Sequence, residues 1–495
     1  MPGPRPLDAA ICAVGAAAPA LRVDVSDVQA GWGKRGGRGQ IGVCGADEDA
    51  TTLAWLAATR ALDAGGMGPD AVDGLWWGCT RPPFAEGPSW THLAAALRLD
   101  SGCDGALLSG STHAGIEALL AAADAVASGR VHTAVVVASD ALLPALGSGH
   151  ETSCGAGAAA VVVRREGPAT LTAAASSWRP TLDRYRGDGE QVTREAYDPR
   201  LFREQVFLPL CTEVAGALTG DDPASERWAL PDPDGRLGGA LARRLHVGEV
   251  VSGPVRSELG DTGAAALLLG LGGAMDERGR LSGLAYGGGR ATAIGIEVNE
   301  PVPGAERVAA DVVEGVVASY TAALRARGQL RPQGEAVEMA VPPGSAMFVR
   351  GNTEVLGLLG ARCRTCDTVN TPPSIHPSCI ACGGSDFEDV PLPRGGSVQT
   401  FVVNQTMPAP FVAPLPLVVV DLDDGSRLMT QAVGDGADLE IGARVDLVLR
   451  RFTIERGVPI YGYKAVVVFP SVEVREHEER PADITKVSLG GGGSW

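Results

Sequence analysis

HAGIEALLAAADAVASGRVHTAVVVASD, residues 113–140, is the stretch that decides the fold. Ile116, Leu119, Leu120, Ala123 and Ala127 recur at steps of three and four, the spacing of one helix face. Ser128-Gly129 stops that helix, because glycine takes the left-handed backbone that other residues resist. TAVVVASD (133–140) follows without apolar/polar alternation, which predicts a strand buried on both faces. Helix, tight turn and doubly buried strand together imply a layered α/β domain.

The same grammar continues outward. DEDATTLAWLAATRALD (47–63) reads as a helix with an acidic first turn, and GLWWGCT (74–80) and AAAVVV (158–163) as strands. Upstream of the opening helix, Gly110-Ser111-Thr112 forms a small-residue turn, and the strand TAVVVAS follows the helix. Gly260-Asp261-Thr262 likewise opens GAAALLLGLGG, followed by LSGLAYGGG. That echo is what a duplicated α/β half would give, although Gly/Ala bias alone also produces such likeness.

The bulk numbers fit a globular protein. The chain has 495 residues, 45% apolar and 20% charged, with a net charge of −17. Such a charge argues against nucleic acid or an anionic membrane as partner. No apolar run approaches the roughly 18 residues of a membrane span. The start, MPGPRPLDAAICAVGAAAP, reads as a first strand, not a leader. Six scattered and four clustered cysteines suit a reduced, cytoplasmic chain with one metal site.

The pattern changes toward the C-terminus. Residues 1–300 form the α/β domain and 301–350 a linker with a docking helix. In 351–395, Cys363-x2-Cys366 and Cys379-x2-Cys382 lie twelve residues apart. Two such knuckles place four thiolates around a structural Zn²⁺, with no coordination position left open. His376 lies between them but is surplus to that set. Short strands then recur over 396–480 (SVQTFVVNQ, LPLVVVDLDD, LMTQAVG, RVDLVLRRFTI, YGYKAVVVF), predicting a small closed barrel. Residues 481–495, ending GGGGSW, read as a flexible tail.

The knuckles, the preceding SYTAALRARGQL (319–330) and the barrel resemble the acyl-CoA-associated zinc-ribbon OB-fold family. The first 300 residues resemble the hydroxymethylglutaryl-CoA synthase and ketoacyl synthase III branch of the thiolase superfamily. GADEDATTLAWLAATRAL, the opening stretch, ETSCGAGAAAVVV, GDTGAAALLLGL and AYGGGRA carry that likeness in order. The resemblance implies a duplicated thiolase-like domain, a zinc ribbon and an OB-type barrel. It also implies a CoA or carrier thioester as substrate, and a homodimer or another thiolase-family subunit as partner.

The residues of the implied site depart from the family pattern. Thr112 stands where the family places its cysteine, Pro231 near its histidine and Asp261 at its asparagine. A helix N-terminus stabilises a thiolate, but a threonine hydroxyl needs an adjacent base. Glu48 falls where the resemblance implies a catalytic glutamate; alternatively Asp47, Glu48 and Asp49 complement a helix dipole. Tyr286, before Gly287-Gly288-Gly289, fits a proton donor at a pocket-lining loop, or a core tyrosine. His113 fits a base or oxyanion partner, though adjacent helix residues do not face each other. Ser111 or Thr112 fits an N-cap, and Asp261 a base or a cap. His150 and Glu151 sit in a loop within reach of the pocket, and Cys154 is a thiol off the nucleophile's position. Neither a phosphate-cradling loop nor a dinucleotide fingerprint is present.

Three functions follow. The first is aldol- or Claisen-type enolate chemistry on a thioester without an acyl-enzyme, in a specialised biosynthetic pathway, with Glu48, Tyr286 and Asp261 as acid/base set. The second is an acyltransferase using Ser111 or Thr112 with His113. The third is a non-catalytic scaffold or channelling partner.

Overall fold

The computed structural model describes residues 3–195, 198–220, 227–331, 351, 353–407, 411, 413–455 and 457–468. The tail at 481–495 and all of 332–350 lie outside the described residues. Ten strands make one sheet: β1 (Arg5–Ala17), β2 (Gly74–Cys79), β3 (Asp104–Ser109), β4 (Ala134–Ala141), β5 (Ala156–Arg164), β6 (Ala169–Trp178), β7 (Arg227–Ala229), β8 (Glu249–Val250), β9 (Gly279–Gly287) and β10 (Arg290–Val298). Their spatial order is β8-β7-β9-β10-β6-β1-β5-β4-β2-β3.

That order settles the duplication. In the first half β1 pairs antiparallel with β5 and β5 with β4, while β4 and β2, then β2 and β3, run parallel. The second half repeats this strand for strand through β6, β10, β9, β7 and β8. The halves join where β1 and β6 pair antiparallel. The two turn-to-helix segments, at 110–112 and 260–262, therefore occupy equivalent places.

β4 explains its own sequence. Val135 and Val137 pack with α1 (Ala50–Ala64), while Ala134, Val136 and Ala138 pack with α2 (Ala114–Ala127). Both faces are buried, so no polar residue alternates in. Gly129, at φ +74°, ends α2, and Arg130 N–H closes back on the Ala125 carbonyl. Gly115 is required by packing: a Cβ there would lie 2.1 Å from the Ala264 carbonyl, just before α3 (Ala266–Gly272). The two core helices thus meet at their N-terminal ends.

Beyond the sheet, Val316–Val317 pairs in parallel with Leu21–Arg22, tying residues after 300 back to the first body. Leu359–Cys363, Val369–Asn370 and Phe387–Pro391 form a three-stranded ribbon. The barrel follows, with β11 (Gly395–Asn404), β12 (Leu415–Leu422), β13 (Arg427–Gln431), β14 (Arg444–Glu455) and β15 (Val458–Val467) in the order β13-β12-β11-β14-β15. A bridge between Ala432 and Ala465 closes it. The fold is the expected α/β duplication with zinc-ribbon-like and OB-type modules. Among the described residues no helix is long and apolar enough to cross a membrane.

The barrel docks on the acidic turn before α1. Arg451 N–H donates to the Asp47 carbonyl at 2.8 Å, and Lys464 pairs with the Asp47 carboxylate at 3.0 Å. Tyr461 O–H donates to Asp49 Oδ2 at 2.8 Å, and Asp49 also caps α1 in a capping box with Thr52. Tyr463 stacks edge-on against Trp55, with centroids 5.7 Å apart. One apolar cluster runs from α1 into the barrel through Val418, Leu447 and Tyr461.

Candidate functional site

A cavity of about 200 Å³ opens at the carboxyl ends of the parallel strands of both halves. Thr80 and Arg81 follow β2, Ser111 and Thr112 follow β3, and Leu142 follows β4. The second half contributes Leu230–Pro233 after β7, Asp261, Gly263 and Ala264 before α3, and Tyr286 on β9. Strand ends of this kind are where α/β sheets bind ligands.

Thr112 lies at the N-terminus of α2, facing the cavity. Its hydroxyl donates to the Tyr286 carbonyl at 2.9 Å. Ser111 Oγ accepts from His113 N–H at 3.2 Å, so Ser111 serves the helix end. Gly287 lets the two halves touch here: a Cβ would stand 2.4 Å from Thr112 Oγ1 and 2.6 Å from His113 N. Gly287→Ala should therefore shift the Thr112 turn and lower the melting temperature by several degrees, read by calorimetry. An unchanged melt would show that the loop yields without strain. Gly288 lines the cavity, while Gly289 packs against the Arg179 carbonyl. Tyr286 lines the cavity too, with its ring between Phe202 and Phe207 at 5.6 and 5.2 Å.

Asp261 is in the cavity wall but is not a free base. Its carboxylate pairs with Arg184 at 2.7 Å and accepts Gly263 N–H at 3.0 Å. Burial alone would raise its pKa, and the Arg184 guanidinium overrides that and holds it below the usual range. Cys154 sits 3.6 Å from the same guanidinium, buried, its thiol pushed up to about 11 by burial. It does not line the cavity and is no thiolate at neutral pH.

Two expected site residues are elsewhere. His113 is buried away from the cavity: Nε2 lies 2.9 Å from Thr292 Oγ1 and Nδ1 3.2 Å from Glu117, one helix turn on. Its ring is therefore not paired with the Ser111 or Thr112 hydroxyl. Glu48, 4% exposed, does not line the cavity either. Its Oε2 accepts Ala20 N–H at 2.8 Å and Gly45 N–H at 2.9 Å, and Oε1 faces Arg450 of the barrel at 3.3 Å. Burial raises its pKa, partly offset by Arg450. The structure uses Glu48 to tie loops and barrel together, so the expected set of Glu48, Tyr286 and Asp261 is not assembled in one place.

Sequence reasoning passed over Thr80, Arg81, Asp140 and Arg184. Asp140, fully buried at the end of β4, accepts from Thr80 N, Thr80 Oγ1, Arg81 N and Ala264 N at 2.9, 2.5, 3.3 and 2.6 Å. It pins cavity loops of both halves. The signal was available: an acid ending a doubly buried strand.

The four cysteines form one cluster, their sulfurs all within 4.8 Å of one another. Cys363 to Cys382 and Cys366 to Cys379 are each 3.6 Å. A tetrahedron with Zn–S bonds of about 2.3 Å has sulfur–sulfur edges of about 3.8 Å. The donor set fits such an ion, and His376 is not part of it.

A family model described as the ChsH2 C-terminal OB-fold domain matches residues 389–450. A hydroxymethylglutaryl-CoA synthase of Pyrobaculum neutrophilum is 30% identical over 281 residues, 53% of this chain and 78% of that protein. The chain belongs to the hydroxymethylglutaryl-CoA synthase family. Among solved structures this synthase-family chain is similar to MvaS in complex with 3-hydroxy-3-methylglutaryl coenzyme A. That likeness has a TM-score of 0.57 and 20% identity, over 68% of this chain and 95% of the other. It is also similar to the curacin-pathway HMG synthase in complex with holo donor-ACP. There the TM-score is 0.56 with 18% identity, over 64% and 88%. Both likenesses are of fold. Within the family fold, this member presents a threonine at the N-terminus of the core helix.

Proposed function

We propose that the chain processes a CoA- or carrier-bound thioester and makes or breaks a C–C bond through an enolate, without an acyl-enzyme. The observation that carries this reading is Thr112 at the helix end, its hydroxyl engaged by the Tyr286 carbonyl. No cysteine among the described residues lines the cavity. The relatives named above supply the thioester class, since their structures hold a hydroxymethylglutaryl thioester or a donor carrier protein. The N-terminus of α2, 14 residues long, supplies partial positive charge toward the cavity. That is the electrostatics a developing enolate oxygen needs.

An acyltransferase built on Ser111 or Thr112 lacks support, because the His113 ring points elsewhere. The discriminating experiment is Thr112→Val, assayed for C–C bond formation or cleavage with a panel of acyl-CoAs. Losing the hydrogen bond to Tyr286 should cut turnover no more than about tenfold. Loss of a nucleophile would cut it by about a thousandfold or more, and that result overturns the reading.

For the ribbon we propose structural zinc on Cys363, Cys366, Cys379 and Cys382. Cys366→Ser should lower bound zinc below one ion per chain by elemental analysis and loosen the barrel to protease. Unchanged zinc content counts against the site. A homodimer, the state expected from family resemblance, is checked by light scattering in solution.

A further inference from the structure

We infer that His150 is the base that forms the enolate, with Nδ1 as its working nitrogen and Glu195 as counter-charge. This rests on the enolate reading above. The wall of the cavity narrows the choice. Pro231, near which the resemblance places the family's histidine, lines the cavity and carries no proton acceptor on its side chain. Asp261 is committed to Arg184 and Gly263. Asp232 accepts Gly238 N–H at 3.1 Å and faces Arg256. His150 lines the same cavity, 4% exposed, on the short turn Gly149–Thr152.

Its backbone is fixed. Cys154 N–H and Ser153 N–H both donate to the His150 carbonyl, at 2.8 and 3.0 Å. Gly155 N–H then donates to the Asp261 carbonyl at 2.8 Å, which ties this turn to the opposite half. The imidazole is not consumed by structure. Nε2 is buried without a hydrogen bond and faces Glu195 Oε1 at 3.6 Å. With Nε2 turned to Glu195, Nδ1 is the nitrogen left for substrate. The charged groups acting on the ring are Arg184, Glu195, Asp261 and Asp234. Burial first, then Arg184, favours the neutral ring, and the three acids oppose them. A neutral imidazole at neutral pH accepts a proton, and Glu195 then steadies the imidazolium.

The step balances. Nδ1 takes the α-proton of the thioester, the C–H pair moves into the enolate, and the ring gains one positive charge. Attack of the α-carbon on a carbonyl acceptor forms the new bond. Return of the proton from the ring to the resulting alkoxide restores neutral His150. In D2O the ring N–H exchanges with solvent, and the step run backward before any acceptor arrives then places deuterium on the α-carbon.

That exchange is the test, using acetyl-CoA and propionyl-CoA in D2O with mass spectrometry of the recovered thioester. The wild type should exchange, with a rate that rises through a midpoint below the ordinary histidine value near 6.5 and then levels. His150→Gln should lose at least about a hundredfold while still binding acetyl-CoA by calorimetry. In His150→Ala, added imidazole should restore part of the rate. Asp183, the third aspartate of the cavity wall, supplies the control. Undiminished exchange in His150→Gln, or a loss confined to Asp183→Asn, overturns His150 and leaves the enolate reading standing. No exchange in a wild type that binds acetyl-CoA overturns both. The wild-type His150 imidazole titration, followed by NMR, should move when acetyl-CoA fills the cavity; an unmoved titration also overturns the assignment.

Discussion

Asp140→Ala is expected to lose roughly 3–5 kcal/mol of stability, and with it the shape of the cavity. Four donors would be left without their acceptor: Thr80 N, Thr80 Oγ1, Arg81 N and Ala264 N. They belong to both halves of the duplication, so the wall opens on two sides. Chemical denaturation measures the first effect and acyl-CoA binding the second. A variant within about 1 kcal/mol of wild type would show that water replaces the carboxylate at little cost.

The same residue gives a pH signature. Burial pushes the Asp140 carboxyl up to about 6 from an ordinary 3.8. The folded state therefore holds this proton more tightly than the unfolded chain. Its contribution to stability is complete below about pH 4 and is lost as pH rises through 6. The loss is about 3 kcal/mol, since each tenfold difference in proton affinity between the folded and unfolded states is worth about 1.36 kcal/mol. Asp140→Asn should remove that slope between about pH 4 and 7, measured by urea unfolding across the range.

Arg450→Met is the second large effect, at about 3–5 kcal/mol. It leaves the Glu48 carboxylate buried with its counter-charge gone, since Arg450 faces Glu48 at 3.3 Å and Asp47 at 4.0 Å. The barrel should loosen from α1, seen as a lower melting temperature and new proteolysis between the modules. Glu48→Gln in the same chain should restore most of the loss, because a neutral amide needs no partner charge. Equal loss in single and double variants would mean that the ion pair does not couple barrel to body.

Part of this was legible in the sequence for physical reasons. The periodicity of 113–140 and the echo at 260–289 encode equivalent packing, and the sheet order repeats strand for strand. CxxC spacing encodes ligand geometry directly, so the cysteine cluster was readable without the fold. Glu48 was not. An acidic triplet before a helix suits capping, catalysis or docking alike, and what decides it lies in the barrel. Arg451, partner of Asp49, is 402 residues away in sequence. His113 was readable in part, because helix spacing already pairs it with Glu117 and not with Thr112. Arg184 was out of reach, since it enters the site from the two-residue strand Arg184–Tyr185, too short to give a periodic signal.

Enolate chemistry without an acyl-enzyme is tested most directly by intact-mass spectrometry of the wild-type chain during turnover of an acyl-CoA. Product should form with a C–C bond made or broken, and no acyl adduct should appear on the protein at any time point. An adduct that maps to Ser111 or Thr112 and appears and decays at the rate of turnover would contradict that chemistry.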